Sequence, residues 1–416
     1  MKAKKKLPWA VFAAILLAII IGPITGTTAG VFGITFYSIY DGISTLFLNA
    51  LTLIVVPLVA SSIISGIARL GSEPNFRKIA LKTLGFYAVT IILAIFIGML
   101  FVNIFKPGLG YLGQPLMENK GLALSFPTSE ETTFKQFLFK IIPSTLTDIL
   151  SYKRLLGLIF FSMLFGFALS KIETRLRNQL FNFWQAVFQT MIKVTEIILT
   201  TLPLAVFCLV ARELASSGTS SFFSIFKFLL TVVVSSTLFM CVLLPLLLKF
   251  VGKINPWRHF KAMGPALITA FSTSSSSATL PITLDCVEKK AGVSNRIASL
   301  VVPLGTSINL SGSALYECVA TLFIAQAYGV SITFTTQLSV FLLSLFTSIG
   351  VAGIPSASLV AITVILHSLG LPPEGIGLLL TVDRLCDMVR TTVNVFSDSC
   401  CAVLVAKSEG EKKVLV

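Results

Sequence analysis

The sequence predicts an all-α polytopic membrane protein, and three observations carry that prediction. Of its 416 residues, 55% are hydrophobic and only 12% are charged, whereas a soluble domain is about a quarter charged. The charge-free runs Leu7–Tyr40, Gly42–Ala68, Thr83–Phe105 and Phe228–Leu248 each reach or exceed the ~20 residues that cross a bilayer core. The stretch Cys318–Pro373 contains no Asp, Glu, Lys or Arg.

The net charge of +14 raises nucleic acid as a partner, but the positions of the basic residues argue for the lipid bilayer. Four lysines precede the first run. Arg69, Arg77, Lys78 and Lys82 follow the second, Lys171, Arg175 and Arg177 follow the fourth, and Lys249, Lys253, Arg258 and Lys261 follow the sixth. That alternation is the positive-inside pattern and predicts a cytoplasmic N-terminus. The basic start resembles a secretory signal, yet its apolar run is much longer than a signal's core, so it reads as a retained first helix. The seven cysteines form no CxxC pair, and His259 and His367 are the two histidines. Neither metal nor disulfide chemistry is expected from them.

The first six spans fall at 8–31, 42–68, 79–105, 140–170, 181–211 and 221–249. The fourth is the weakest, because its uncharged part is short, and 107–133 reads as an irregular extracellular loop. After residue 257 the pattern changes. Ala262–Leu284 is long enough to cross but is interrupted by Ser272–Pro281. Val293–Ala325 is broken at Ser307–Ser313, and Leu338–His367 at Gly350–Ser358. Hydrophobic segments broken by small residues and proline, at corresponding places in two repeats, predict paired re-entrant hairpins around a midplane site. Non-helical backbone is tolerated at membrane depth only inside protein or against a water-filled cavity.

The last apolar span carries Asp383, Arg384, Asp387, Arg390, Asn394 and Asp398. At 100° per residue all but Arg384 fall within a stripe of roughly 80°. A charge at mid-bilayer costs on the order of 3 kcal/mol on insertion scales, so the stripe predicts a polar cavity. The lesser alternative for Asp387 and Arg390 is a structural ion pair at i, i+3.

Ser274–Pro281, Asn309–Glu317, Gly353–Ser358 and Asp387–Asp398, in that order, resemble the dicarboxylate/amino acid:cation symporters, the glutamate transporter family, in its prokaryotic type. The likeness runs over nearly the whole chain and is densest after residue 257. It implies eight transmembrane helices and two re-entrant hairpins, at about 257–285 and 333–367, arranged as inverted repeats. It also implies an elevator mechanism, in which the hairpin-bearing part slides against a trimeric scaffold. On this chain the scaffold would comprise 1–78 and 141–220, with helix three and its loop at 79–140 and the remaining transport domain at 221–416. A homotrimer in the bacterial inner membrane follows from the same likeness, and the second hairpin becomes the outer gate.

The resemblance assigns the substrate's side-chain carboxylate to Arg390, its amino group to Asp387 and its main-chain carboxylate to Asn394. Ser313 stands for the usual Thr, and Ser276, Ile354 and Ser358 complete the pocket. The implied substrate is aspartate or glutamate, with sodium ions as co-transported ligands. The first sodium site would use Asp398, Asn309, Asn394 and Gly305. The second would use carbonyls of Ser307, Ser348, Ile349 and Val351, and a third would use Tyr87 and Thr90. Three departures stand out. Ser311 replaces an acidic ligand of the family's Asn-Met-Asp-Gly-Thr motif, and Ile91 stands where a serine is common. Ser274 stands where many members carry arginine, while Arg384 adds a charge nearby, either as a gating or counter-charge residue or as an ion pair with Asp383. Protons therefore compete with sodium as the coupled ion. The alternatives are a proton-coupled glutamate/aspartate or C4-dicarboxylate symporter of the same fold, and, in another class, an ion channel. No nucleophile–base or phosphate-loop constellation points to an enzyme.

Overall fold

The computed structural model describes residues 2–31, 33–70, 77–109, 155–217, 221–330, 332–350, 357–412 and 414–415. The predicted loop at 110–133, the first part of the fourth span and the tip of the second hairpin, with Val351 and Ile354, lie outside them.

Helix α1 (Lys2–Thr25) ends earlier than the apolar run does. Gly26 takes a left-handed backbone with φ 54°, a common way to stop a helix. The rest of the run turns back as two short antiparallel strands, β1 (Gly30–Val31) and β2 (Ile34–Thr35). Then come α2 (Phe36–Leu70), α3 (Arg77–Phe105) and α4 (Leu155–Leu169). The expected fifth span is not one helix but two, α5 (Thr174–Leu199) and α6 (Leu202–Ser217). The last turn of α5 tightens, Thr200 N–H and Thr201 N–H bonding Ile197 and Ile198 carbonyls. Pro203, lacking a donor, is tolerated in the first turn of the new helix. Helix α7 (Ser221–Leu238) passes through a wider turn at Phe239–Leu243 into α8 (Leu244–Phe250).

The first hairpin has arms α9 (Pro256–Thr273) and α10 (Ser276–Asp285). Ser274 is left-handed at the tip, and the Ser275 hydroxyl accepts from Ala278 N–H to start the return arm. The next crossing is also split. Helix α11 (Asn295–Ile308) stops at Asn309 and Leu310, and α12 (Ser311–Ala327) resumes beyond them. The second hairpin has arms α13 (Phe334–Gly350) and α14 (Ala357–Leu369). After the short α15 (Ile376–Leu380), α16 (Asp383–Ser408) forms the last long helix.

Two sets of neighbours emerge. Helix α1 lies along α6, and α2 packs on α4, α5 and α6. Helix α12 is buried on every face from Ser311 to Gln326, between α3, α13, α14 and α16, while α9 and α11 also pack on α16. The hairpin arms α13 and α14 touch α2, and α15 rests on α6. Among the described residues, the runs 78–105, 223–250, 295–327 and 383–408 are long and apolar enough to cross a membrane, and shorter apolar helices accompany them.

Candidate functional site

The charged stripe of α16 faces inward. Asp383, Asp387, Arg390, Asn394 and Asp398 are all buried. Arg390 is held by both neighbouring acids: its Nε and Nη2 lie 2.9 and 2.8 Å from Asp387 Oδ1, and its Nη1 lies 3.3 Å from Asp383 Oδ1. The guanidinium also sits over the Tyr316 ring, 4.6 Å from its centroid, and the Tyr316 hydroxyl donates to Asp383 Oδ1 at 3.0 Å. A cation on a desolvated aromatic face gains about 2 kcal/mol, so Tyr316 fixes the guanidinium from the side the carboxylates leave open. Arg384, the stripe's exception, reaches Asp387 Oδ2 at 3.7 Å. Arg384 sits on Asp387, and Asp383 serves Arg390 and Tyr316.

Asn394 ties α16 to the broken helix. Its Oδ1 accepts from the N–H groups of Gly312 and Ser313, at 2.8 and 3.3 Å, and its Nδ2 donates to Ser313 Oγ at 3.2 Å. The first amides of α12 have no helical partner of their own, so a side chain from another helix caps them. Gly312 allows this approach, since a Cβ there would lie 2.5 Å from the Arg390 carbonyl oxygen. A helix N-terminus inside the protein favours negative charge, and here one lies beside Arg390.

One turn further along α16 the chemistry reverses. Asp398 receives Asn309 Nδ2 at 2.9 Å, and the same amide reaches Ser397 Oγ at 3.1 Å. Gly305, in the last turn of α11, lies against this carboxylate, and a Cβ there would fall 2.5 Å from Asp398 Cγ. Thr90 donates to Asn309 Oδ1 at 2.9 Å, and the Tyr87 hydroxyl donates to the Val301 carbonyl. A carboxylate, amide oxygens and the carbonyl end of a half-helix make a hard oxygen set of the kind alkali cations prefer.

The structure thus brings together Arg390, Asp387, Asp383, Asn394 and Ser313 at one locus, and Asp398, Asn309, Gly305 and Thr90 at the adjoining one. Ser276 is buried in the first turn of α10, which packs on α16. Ser307 lies in the last turn of α11 and Ser348 near the end of α13, a helix that packs on α11. The Ser348 hydroxyl bonds back to the Leu345 carbonyl. Ile349 is the last residue but one of the same helix. Ser311 is buried, and among the described residues its hydroxyl has no partner.

Three residues near the site escaped the sequence reading. Tyr316 supports Arg390. Cys401 lies beside Asn309, its Sγ 3.9 Å from Asn309 Nδ2. Glu317 is buried on α12, receives the Thr347 hydroxyl at 2.7 Å and faces Ser358 and Arg390. Its signal in the sequence is a lone acid in the run 297–327, which carries no other charged residue.

The sodium:dicarboxylate symporter family model matches residues 11–408. This chain belongs to that family. The fold is therefore that of the elevator-type transporters, and the molecule is a multi-pass membrane protein of a family of symporters. The symporter is 35% identical over 398 residues to the proton/glutamate-aspartate symporter of Bacillus subtilis (strain 168), covering 95% of this chain and 94% of that one. It is 33% identical to the proton/sodium-glutamate symport protein of Bacillus caldotenax, over 97% of this chain and 95% of that one. The C4-dicarboxylate transport protein of Bacillus subtilis (strain 168) is 29% identical over 99% of this symporter and 95% of its own length.

Proposed function

We propose that this symporter takes up an acidic amino acid, aspartate or glutamate, together with a cation. The observation that carries the reading is the buried Asp387–Arg390 pair beside the capped N-terminus of α12. Within the pair each charge satisfies the other. An incoming amino acid offers a carboxylate to Arg390, whose planar fork suits bidentate binding, and an ammonium to Asp387, which as an acceptor suits it. Asn394 meets the main-chain carboxylate at the helix terminus, and Ser313 supports the substrate's side chain. Ser276, Ile354 and Ser358, from the two hairpins, close over it.

The second half of the proposal is the coupled ion. Asp383, Asp387, Arg384 and Arg390 balance one another, which leaves Asp398 to be neutralised by an arriving ion. Sodium fits the locus of Asp398, Asn309, Asn394 and Gly305. A second sodium would use the carbonyls of Ser307, Ser348, Ile349 and Val351. The third locus, at Tyr87 and Thr90, is poorer, because Ser311, Ile91 and Cys401 offer it no carboxylate. A proton fills that role instead, and Glu317 is the group placed to carry it, because its carboxyl is buried among hydroxyls at the side of Arg390. A C4-dicarboxylate has no ammonium for Asp387, which favours the amino acid. The set of α3, α7, α8, the two hairpins, α11, α12, α15 and α16 is the mobile part. It slides against α1, α2 and α4–α6 within a homotrimer in the bacterial inner membrane, with the N-terminus cytoplasmic.

Uptake of labelled aspartate, glutamate and malate into proteoliposomes, with sodium and pH gradients imposed separately, tests this. Saturable amino acid accumulation driven by either ion gradient is expected. Accumulation of malate in preference to aspartate, or substrate-independent current without accumulation, would overturn it.

A further inference from the structure

Beyond α16 the chain turns back over the helix end. Gly410 is left-handed, with φ 87°, and Glu411 N–H bonds the Ala406 carbonyl at 3.1 Å, a closing turn that suits glycine. The residues that follow are docked. Val414 is buried, Leu415 N–H donates to the Ala291 carbonyl at 2.9 Å, and Arg258 Nη1 donates to the Leu415 carbonyl at 3.4 Å. Ala291 closes the wide turn after α10, and Arg258 lies in the first turn of α9. Both ends of the first hairpin are therefore held.

Two acids of this segment reach further. Glu411 accepts from Ser294 N–H at 3.0 Å and from the Ser294 hydroxyl. It thus covers the start of α11, where helix amides lack partners and negative charge is favoured. Glu409 pairs with Lys82 of α3, and Lys82 also donates to the Ser408 carbonyl at 2.9 Å. The Lys82 bond holds the Glu409 carboxyl below the usual carboxylate range, with Lys78 and Arg296 adding to the pull. An isolated surface ion pair contributes little. Here two acids, main-chain bonds and a buried valine act together in one short strap.

The helices fastened by the two acids are those that meet at Asp398. Helices α3, α11 and α16 pack on one another. The first brings Tyr87 and Thr90, the second Gly305 with Asn309 at its end, and the third Asp398. Counted along each helix, Lys82 lies about 12 Å from Thr90, Ser294 about 16 Å from Gly305 and Ser408 about 15 Å from Asp398. All three are tied at one end, at similar distances from the locus. We infer that Lys82 and Glu411 are positioning residues of the proposed cation locus, fixing the axial register of α3 and α11 against α16 and so the spacing of its oxygens. The inference rests on the cation reading of that locus. A metal site needs its ligands held to fractions of an ångström, and this one draws them from three helices. The substrate locus takes its charged groups, Asp383, Asp387 and Arg390, from α16 alone. Cation affinity therefore depends on the strap more than substrate affinity does.

The test uses the full-length protein in detergent, with sodium titrations of aspartate binding and hydrogen exchange of the backbone amides. Lys82→Met with Glu411→Ala should raise the sodium concentration for half-maximal binding about tenfold, the lower range for losing outer support of a metal site. Aspartate affinity at saturating sodium should stay near the wild-type level. Exchange should quicken at 77–90 and 286–298 but not in α1, α2 or α6. Lys82→Arg, which keeps the donor, should retain wild-type sodium dependence. Should the double variant fail to fold, Lys82→Met alone is expected to shift sodium dependence in the same direction and to quicken exchange in α3 only. Wild-type sodium dependence in the variants that cut the strap would overturn the positioning role while leaving the cation locus standing. Equal losses of sodium and aspartate affinity, with faster exchange throughout, would overturn it too, marking the segment as ordinary packing. A wild type whose aspartate binding ignores sodium would overturn the cation reading and this role with it.

Discussion

Asp387 and Arg390 lie one helical turn apart, buried, with Arg390 Nη2 2.8 Å from Asp387 Oδ1. Such a pair offers a zwitterion one partner of each sign, as the proposed binding mode requires. Truncating one member of a buried charge pair costs about 2–5 kcal/mol, because the other is left unpaired. Arg390→Ala should therefore weaken aspartate binding by roughly 30- to 5,000-fold. The pocket keeps Asp387 and the α12 terminus, so neutral amino acids should be admitted in its place. Binding titrations with aspartate and serine on the purified variant check this. Undiminished glutamate transport would remove Arg390 from the site.

The opposite truncation separates amino acids from dicarboxylates. Asp387→Ser removes the acceptor for an ammonium, and it also removes the partner that Arg384 reaches at 3.7 Å. The remaining positive charge suits a second carboxylate better than an amine. Aspartate uptake should fall by at least tenfold more than malate uptake, a difference of about 1.4 kcal/mol. Equal losses for the two substrates would argue against an ammonium at Asp387.

Much of this site was legible in the chain, for a physical reason. Asp383, Asp387, Arg390, Asn394 and Asp398 share one helical face inside an apolar crossing, a pattern that only a polar interior supports. The breaks at Ser274 and at Asn309–Leu310 announced themselves through small residues. Glu317 did not, because α12 is buried all round and has no polar face to single out one acid. The split between α5 and α6 was equally silent, since the apolar run continues through Thr200 and only Pro203 hints at a new helix. Arg384 went to Asp387 rather than to its chain neighbour because i, i+3 residues share a face and adjacent ones do not.

The proposed cation locus depends on the absence of a side chain at Gly305. A methyl group there would fall 2.5 Å from Asp398 Cγ, so either α11 or the carboxylate must shift. Overpacking of this kind costs about 1–3 kcal/mol. Gly305→Ala is expected to lower the apparent sodium affinity by about tenfold or more, with trimming of thermal stability in detergent. Sodium-dependent aspartate binding measures the first, and a variant with wild-type sodium dependence would detach Gly305 and Asp398 from cation binding.

Ser311 offers the converse experiment. Its buried hydroxyl has no partner among the described residues, and it starts α12 two residues beyond Asn309, which Thr90 and Asp398 already engage. Ser311→Asp with Ile91→Ser would add a carboxylate and a hydroxyl, hard ligands for an alkali cation. The double variant should show a steeper sodium dependence of uptake than the wild type. An unchanged slope, with folding intact, would mean that the sodium count is set elsewhere.

Glu317 then decides whether a proton travels with the substrate. Its Oε2 receives Thr347, on the first arm of the second hairpin, so the charge state of this carboxyl and the position of that arm are linked. Glutamine keeps the shape and the acceptor but cannot exchange a proton. Glu317→Gln should therefore lose uptake driven by a pH gradient, keep aspartate exchange within about twofold and keep any sodium-driven component, because those steps need no proton to enter or leave. Parallel measurements under a pH gradient alone, under a sodium gradient alone and in exchange mode separate the cases. If the variant still accumulates aspartate on a pH gradient, the proton is carried by another group, and Asp398 becomes the one to test next.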